Sequence, residues 1–269
     1  MLKDMDEKYF LDINDTVYQV CSDVGKIQLE KQTNKIEYTS KENNTPLTDV
    51  DLLSNEMITS KLSEISEGFT IISEEENNEK LSDENFWLVD PLDGTSNYIK
   101  NGSNFCINVA FIKDKHPVYG AIYVPSTNDF YYGISKLGSY HVSANKESVR
   151  MTCSFNQSKP TIYTSSSMNP KKLEIINKNF INANINKMSS AIKFCYIASG
   201  NGVFYPRLGP THEWDTASGQ CIVEEAGGYV LDKNLERFSY NKNDKFLNEE
   251  FFVLSDKFKG YDNIIKLLC

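Results

Sequence analysis

Cysteine pairs at metal or redox spacing are missing from this sequence. Cys21, Cys106, Cys153, Cys195, Cys221 and Cys269 form no C-x-x-C pair, and none stands at zinc-like spacing from the three histidines. A disulfide scaffold and a structural zinc module are excluded, and a reduced, cytoplasmic chain is expected. Glycine and proline are sparse, 14 and 8 among 269 residues, which excludes collagen-like and low-complexity chains. Positive charge is short as well: 28 Lys+Arg against 37 Asp+Glu leave a formal net charge of −9. The global charge therefore offers no basic footprint for a nucleic-acid polymer, although it permits a local anion pocket. Long apolar runs are lacking, with no window near the ~18 consecutive apolar residues of a membrane span. MLKDMDEKYF at the start has no apolar stretch of the signal-peptide kind, and Cys269, as the last residue, is not placed for prenylation. No stable membrane anchor is expected.

What is present is an ordinary globular composition, 40% hydrophobic and 24% charged, long enough for one large domain or two closely packed halves. Ile13, Val17, Val20, Val24 and Ile27 fall on one face of a helix. Thr48 followed by Asp51 signals an N-cap and capping box ahead of a second helix through Leu53, Met57, Ile58, Leu62 and Ile65. Residues 69–72 and 86–89 are short apolar runs expected to be buried strands. From 105 to 142 the segments FCINVAFI, VYGAIYV, DFYYGI and GSYHV predict an antiparallel meander half-covered by the two helices. The polar stretch 143–160 is the expected boundary between an N-terminal half, 1–155, and an α/β C-terminal half, 156–269. In the second half, strands near 162–165, 203–206, 229–232 and 251–254 alternate with helices near 170–179, 190–199 and 216–226 and a final helix.

Against this background three acidic features stand out: Glu74-Glu75-Glu76, Asp90-Pro91-Leu92-Asp93-Gly94-Thr95, and Trp214-Asp215, each at the end of an expected element. Pro91 disfavours helix at Asp90, so a tight turn is expected in which both aspartates and the Leu92 carbonyl face one centre. Oxygen donors without nearby Cys or His suit Mg²⁺, Mn²⁺ or Ca²⁺, with Mg²⁺ favoured where a phosphate completes the shell. Two carboxylates ~5 Å apart at an effective dielectric near 20 repel by ~3 kcal/mol. Convergence of Asp51, Glu74, Asp90, Asp93 and Asp215 would therefore make bound cations close to obligatory, while an acidic cluster left apart is ordinary solvated surface. Gly94 and Thr95 are expected to start a short helix over Ser96, Asn97 and Tyr98, with amides that suit a phosphate. Asp215 is expected in the first turn of a helix ended by Gly227-Gly228.

Lys193 lies in the apolar stretch AIKFCYIA and must snorkel or meet an anion. His212 is taken as a loop histidine, and Tyr119, Tyr123, Tyr131 and Tyr132 as sheet residues. Glu75 ranks below Glu74 as a ligand.

S-E-E at 73–75, F-W-L-V-D-P-L-D-G-T at 86–95 and W-D-T-A-S-G at 214–219 together resemble the magnesium-dependent, lithium-sensitive phosphatases of the inositol monophosphatase superfamily. More narrowly, K-E-N-N-T-P-L-T-D-V-D at 41–51, S-S-A-I-K-F-C at 189–195 and Y-P-R-L-G-P-T at 205–211 are similar to the CysQ-type 3'(2'),5'-bisphosphate nucleotidases. The resemblance implies a layered αβαβα sandwich, of mixed α+β and α/β character. It implies two or three Mg²⁺ held by Glu74, Asp90, the Leu92 carbonyl, Asp93 and Asp215. Asp51 and Thr95 would position and deprotonate the attacking water, with Glu74 counted beside them as catalytic. Gly94 and Thr95 would hold the scissile phosphate, and Ser190, Lys193, Arg207 and Asp215 would face the rest of a small phosphorylated substrate. Asn43, Ser189 and Ala191 depart from the nucleotidase pattern and bear only on substrate contacts.

The activity so implied is hydrolysis of the 3'-phosphate of adenosine 3',5'-bisphosphate, by a monomer or homodimer. The alternative is an inositol monophosphatase or other sugar-phosphate phosphatase, in which a glutamate stands in place of Arg207, because an arginine suits a second phosphate. A non-enzymatic sensor on the same fold would not need the Asp51–Thr95 pair.

Overall fold

The computed structural model describes residues 5–33, 36–40, 46–76, 84–154, 159–241, 245–256 and 261–269. The chain opens with α1 (Glu7–Gln32), whose first turn is capped by the Asp6 carboxylate accepting from the Tyr9 amide at 2.9 Å. A small hairpin, β1 (Tyr38–Ser40) and β2 (Pro46–Thr48), leads into α2 (Asp49–Ile65). At Thr48 the expected capping box is present in both directions.

A seven-stranded sheet follows: β3 (Thr70–Ser73), β4 (Phe86–Asp93), then after α3 (Thr95–Tyr98) the strands β5 (Cys106–Lys113), β6 (His116–Val124), β7 (Asp129–Ile134), β8 (Gly138–Val142) and β9 (Ser148–Arg150). Strand order is the chain order, antiparallel throughout except that β3 runs parallel to β4. The polar segment at 143–160 thus contributes an edge strand, β9, which apolar periodicity could not announce because all three of its residues are exposed.

The remaining elements are β10 (Thr161–Ser165), α4 (Pro170–Asn179), β11 (Asn184–Met188), α5 (Ile192–Ala198), β12 (Phe204–Arg207), β13 (Thr211–His212), a 3₁₀ turn (Glu213–Asp215), α6 (Ala217–Glu225), β14 (Tyr229–Asp232), β15 (Leu247–Asn248), β16 (Phe251–Leu254) and α7 (Tyr261–Leu268). Five of these strands form a mixed sheet in the order β11-β10-β12-β16-β14. Its edge strand β11, NINKM, is polar and escaped sequence analysis.

Three buried clusters stack these elements into five layers. Phe10, Ile13, Val17, Cys21 and Val24 of α1, with Ile58 and Leu62 of α2, pack on Trp87, Val89, Ile107, Val109 and Phe111 of the large sheet. The opposite face, through Leu88, Ala110 and Ile122, meets Ile192, Phe194 and Ile197 of α5 and Ile222 and Val223 of α6, which in turn cover Tyr205, Val230 and Phe251 of the small sheet. Ile176 of α4 and Ile264, Ile265 and Leu268 of α7 cover the far side, against Phe204, Phe252 and Leu254. The result is the expected αβαβα sandwich. Burying each such large apolar side chain contributes about 1.5–3 kcal/mol, which is why both faces of β4 and β5 are apolar. All six cysteines are free thiols, five of them buried.

Candidate active site

The expected tight turn at Asp90–Asp93 is a bulge inside β4. Asp90 pairs with Asn108 and Asp93 with Cys106 on β5, and the register shifts between them. The bulge takes Pro91 and Leu92 off the ladder, and side chains take over their backbone groups. The Leu92 amide donates to Asp90 Oδ1 at 3.1 Å, the Leu92 carbonyl accepts from Thr95 Oγ1 at 3.1 Å, and the Pro91 carbonyl accepts from Gln28 Nε2 at 2.9 Å. Gly94, directly after, has φ +97°, and an added Cβ would stand 2.8 Å from the Asn104 carbonyl oxygen, so only glycine fits. Thr95–Tyr98 is the expected short helix.

Glu74, where the chain leaves β3, and Asp215, in the 3₁₀ turn, close on the same point as Asp90. One carboxylate oxygen from each lies within 4.8 Å of the other two. Asp90 is 1% exposed, and its Oδ2 has no hydrogen-bond partner among the described residues. Burial first, and then the charges of Glu74, Asp93 and Asp215, hold the Asp90 carboxyl well above the usual carboxylate range. Asp215 is pushed up to about 8 by burial and by the charges of Asp93 and Glu74. Burial also raises Asp93, against the opposing pull of Lys193. An uncapped buried oxygen among three converging carboxylates, with no nitrogen or sulfur donor in the set, fits a hard divalent cation.

Asp93 is held beside this group: its Oδ2 accepts from the Ala191 amide and from Asn108 Nδ2 at 3.5 Å. Asp51 stands behind it, 1% exposed. Its Oδ2 accepts from the Thr48 amide at 2.8 Å and from the Thr48 hydroxyl, and its Oδ1 from Thr95 Oγ1 at 3.1 Å. The Asp51–Thr95 pair expected from the sequence is therefore in contact, with Asp51 fixed by its own helix cap.

These residues open into a cavity of about 680 Å³ between the two sheets. Gly94, Ser190, Lys193 and Arg207 line it together with Glu74, Asp90, Leu92, Asp93, Thr95 and Asp215, whereas Asp51 lies behind Thr95. Lys193 does not snorkel. It is 3% exposed, its Nζ lies 4.9 Å from the centre of the Tyr205 ring, and it donates to the Met188 carbonyl at 3.3 Å and to the Ser190 carbonyl. Burial pulls its pKa down to about 8, with Asp93 pulling the other way. Arg207 donates to its own loop, Nε to the Gly209 carbonyl at 3.2 Å and Nη2 to the Pro210 carbonyl at 2.9 Å.

Two expectations need correction. Asp215 does not open α6. Its carboxylate accepts from the His212 amide at 2.8 Å and so caps a separate 3₁₀ turn, and the chain breaks at Thr216 before α6 starts at Ala217. His212 is not a loop bystander, since it lies in β13, stacks on Trp214 at 4.7 Å and lines the cavity. Glu75 is not in the three-carboxylate group. Tyr119, Tyr123, Tyr131 and Tyr132 are sheet residues, as expected. Ser189 lines the cavity, Ala191 serves Asp93 through its amide, and Asn43 lies outside the described residues. Ser165, Ser166, Ser167 and Lys245 also line the cavity and were not marked by any sequence feature, while Tyr205 opens the Y-P-R-L-G-P-T segment. The three serines follow one another at the end of β10, where no acidic residue or glycine marks a site.

Comparison with known proteins agrees with this fold. The family model described as "Inositol monophosphatase family" matches residues 11–255. A 3'(2'),5'-bisphosphate nucleotidase CysQ of Buchnera aphidicola is 34% identical over 253 residues, covering 89% of this chain and 92% of that protein. Its counterpart in Aggregatibacter actinomycetemcomitans is 33% identical over 219 residues, 79% of this chain and 81% of that one. The crystal structure of CysQ from Bacteroides thetaiotaomicron superposes with a TM-score of 0.78 at 28% identity, over 91% of this chain and 98% of that one.

Proposed function

The chain belongs to the inositol monophosphatase family and is a phosphatase; we propose that it hydrolyses the 3'-phosphate of adenosine 3',5'-bisphosphate, giving AMP and phosphate, with Mg²⁺ as cofactor. The observation that carries this reading is the convergence of Glu74, Asp90 and Asp215 in a cavity that Lys193 and Arg207 also line. A site that combines a carboxylate group able to hold cations with two basic side chains suits a substrate with two phosphates. The names of these two relatives support the same substrate.

Glu74, Asp90, Asp93, Asp215 and the Leu92 carbonyl would hold the cations. Magnesium ions bound there supply positive charge to the phosphoryl oxygens and acidify the attacking water. Thr95 Oγ1, 3.1 Å from Asp51 Oδ1, accepts a proton from that water as it passes its own to Asp51. Thr48 keeps Asp51 aimed for this exchange. Gly94 and Thr95, at the start of α3, seat the phosphate that is cleaved. Lys193, whose pKa burial lowers to about 8, lines the cavity and would face the nucleotide. The metal-bearing face belongs mainly to residues 1–155 and the substrate pocket to residues 156–269.

A second reading, phosphatase action on inositol monophosphate or another sugar phosphate, is favoured by one observation: two donor groups of Arg207 are already engaged by its own loop. Phosphate release by the purified chain with Mg²⁺ distinguishes the two. The nucleotidase reading expects a higher kcat/KM for adenosine 3',5'-bisphosphate than for inositol 1-phosphate, loss of activity on chelation, and inhibition by Li⁺ where Na⁺ and K⁺ have none. The reverse substrate preference would transfer the assignment to the sugar phosphate, and full activity after exhaustive chelation would remove the metal from it.

A further inference from the structure

The bulge that forms the candidate metal turn leaves the Pro91 carbonyl without a strand partner, and the group that takes it comes from far away in the chain. Gln28 on α1 is fully buried, and its Nε2 donates to the Pro91 carbonyl at 2.9 Å and to Ser54 Oγ at 3.1 Å. Only the NH₂ end of an amide can serve a carbonyl, so Pro91 fixes the orientation of the Gln28 side chain. With both hydrogens committed, Gln28 Oε1 is left buried with no partner among the described residues. A core position that keeps an unsatisfied acceptor in order to present a donor is spending stability on placement. On the other side of the same residue, the Gln28 carbonyl accepts from the fully buried Tyr98 hydroxyl at 2.7 Å, which ties α1 to the helix that follows the turn.

Resting on the metal reading of the site, we propose that Gln28 is the positioning residue of the metal turn. Its amide holds the Pro91 carbonyl and thereby sets the aim of the Asp90 carboxylate on one side and the Leu92 carbonyl on the other. Pro91 has no N–H and a fixed φ, so its carbonyl is the one polar group by which Pro91 itself can be gripped. Gln28 is not among the residues that line the cavity. It acts through the backbone between two ligands, and its loss loosens the cation site before it alters the substrate pocket.

Gln32, one helical turn further on, provides a matched comparison. Its Nε2 donates to the carbonyls of Tyr98 at 3.0 Å and Gly102 at 2.9 Å, beyond the metal turn. The test is the Mg²⁺ concentration at the midpoint of the rise in melting temperature, measured on the full chain without substrate. Gln28→Met is expected to raise that midpoint about tenfold, in line with other residues that hold metal ligands in place. Gln32→Met is expected to lower the melting temperature while leaving the midpoint within about twofold of wild type. At saturating Mg²⁺, Gln28→Met keeps the wild-type KM. Gln28→Leu, a little smaller and with no hydrogen-bond donor to offer Pro91, is the second variant should the methionine variant not fold, and the same rise is expected. A wild-type Mg²⁺ shift with an unchanged midpoint in the Gln28 variants, or an equal rise in Gln32→Met, would overturn the positioning role alone. No Mg²⁺ shift in the wild type would overturn the metal reading and this proposal with it.

Discussion

Asp90 has one carboxylate oxygen bound by the Leu92 amide and the other buried without a partner among the described residues, beside Glu74 and Asp215. Replacing that bare oxygen with an amide relieves repulsion but removes a ligand. Asp90→Asn is therefore expected to fold, with a melting temperature in chelator at or above that of wild type, and to lose about 100-fold or more in kcat. An active Asp90→Asn enzyme would remove this residue from the site. Arg207 separates the two substrates. Arg207→Glu reverses one charge on the cavity wall and leaves the metal ligands alone. For adenosine 3',5'-bisphosphate kcat/KM should fall about tenfold to hundredfold, the cost of one charge-assisted bond, with a much smaller change for inositol 1-phosphate. Parallel losses on both substrates would make Arg207 a structural residue of its loop.

At the scale of elements, the site depends on two departures from regular structure in otherwise regular strands and helices. The first is the bulge that ends β4, and the second is the left-handed residue that starts α3. At Gly94, φ +97° and the 2.8 Å approach of the Asn104 carbonyl leave no room for a side chain. Gly94→Ala is expected to cost about 1–3 kcal/mol of stability and to tilt α3, so that KM rises along with the loss in melting temperature. A variant with wild-type KM would show that the Gly94–Thr95 step does not seat the substrate. The helix-capping residue Thr48 is also the residue that orients Asp51. One local motif thus serves both the start of α2 and the proton path at Thr95.

Across the whole molecule, the carboxylates are brought together from β3, β4 and the turn before α6, and the resulting repulsion is borne by the entire fold. Asp90, Asp93 and Asp215 all have raised pKa values in the folded protein, Asp215 near 8. A folded pKa above the unfolded one means that stability is fully present below about pH 4 and is lost as pH rises through the folded value. The metal-free protein is therefore expected to melt lower at pH 8.5 than at pH 5.5, by about 5 °C or more at this chain length. Saturating Mg²⁺ should abolish most of that difference, because a bound cation replaces the proton as the neutralising charge. A melting temperature in chelator that is flat or rising across this range would contradict the clustering of ionised carboxylates.

The sequence alone determined the helix faces of α1 and α2, the meander and the α/β alternation, because apolar spacing and capping residues act over a few neighbours. It also marked Glu74, Asp90, Asp93, Thr95 and Asp215, since acids and glycine at the ends of apolar runs are legible without coordinates. It missed β9 and β11, whose polar residues lie at sheet edges and carry no apolar signal. It placed Asp215 inside a helix, because a residue that caps its own 3₁₀ turn looks like one that begins α6. Only tertiary structure could decide that Asp51 reaches Thr95, that Lys193 stays buried, and that Gln28 grips Pro91 from 63 residues away. Those contacts join elements from different layers, and the packing of two sheets and their helices sets such distances, which no local periodicity encodes.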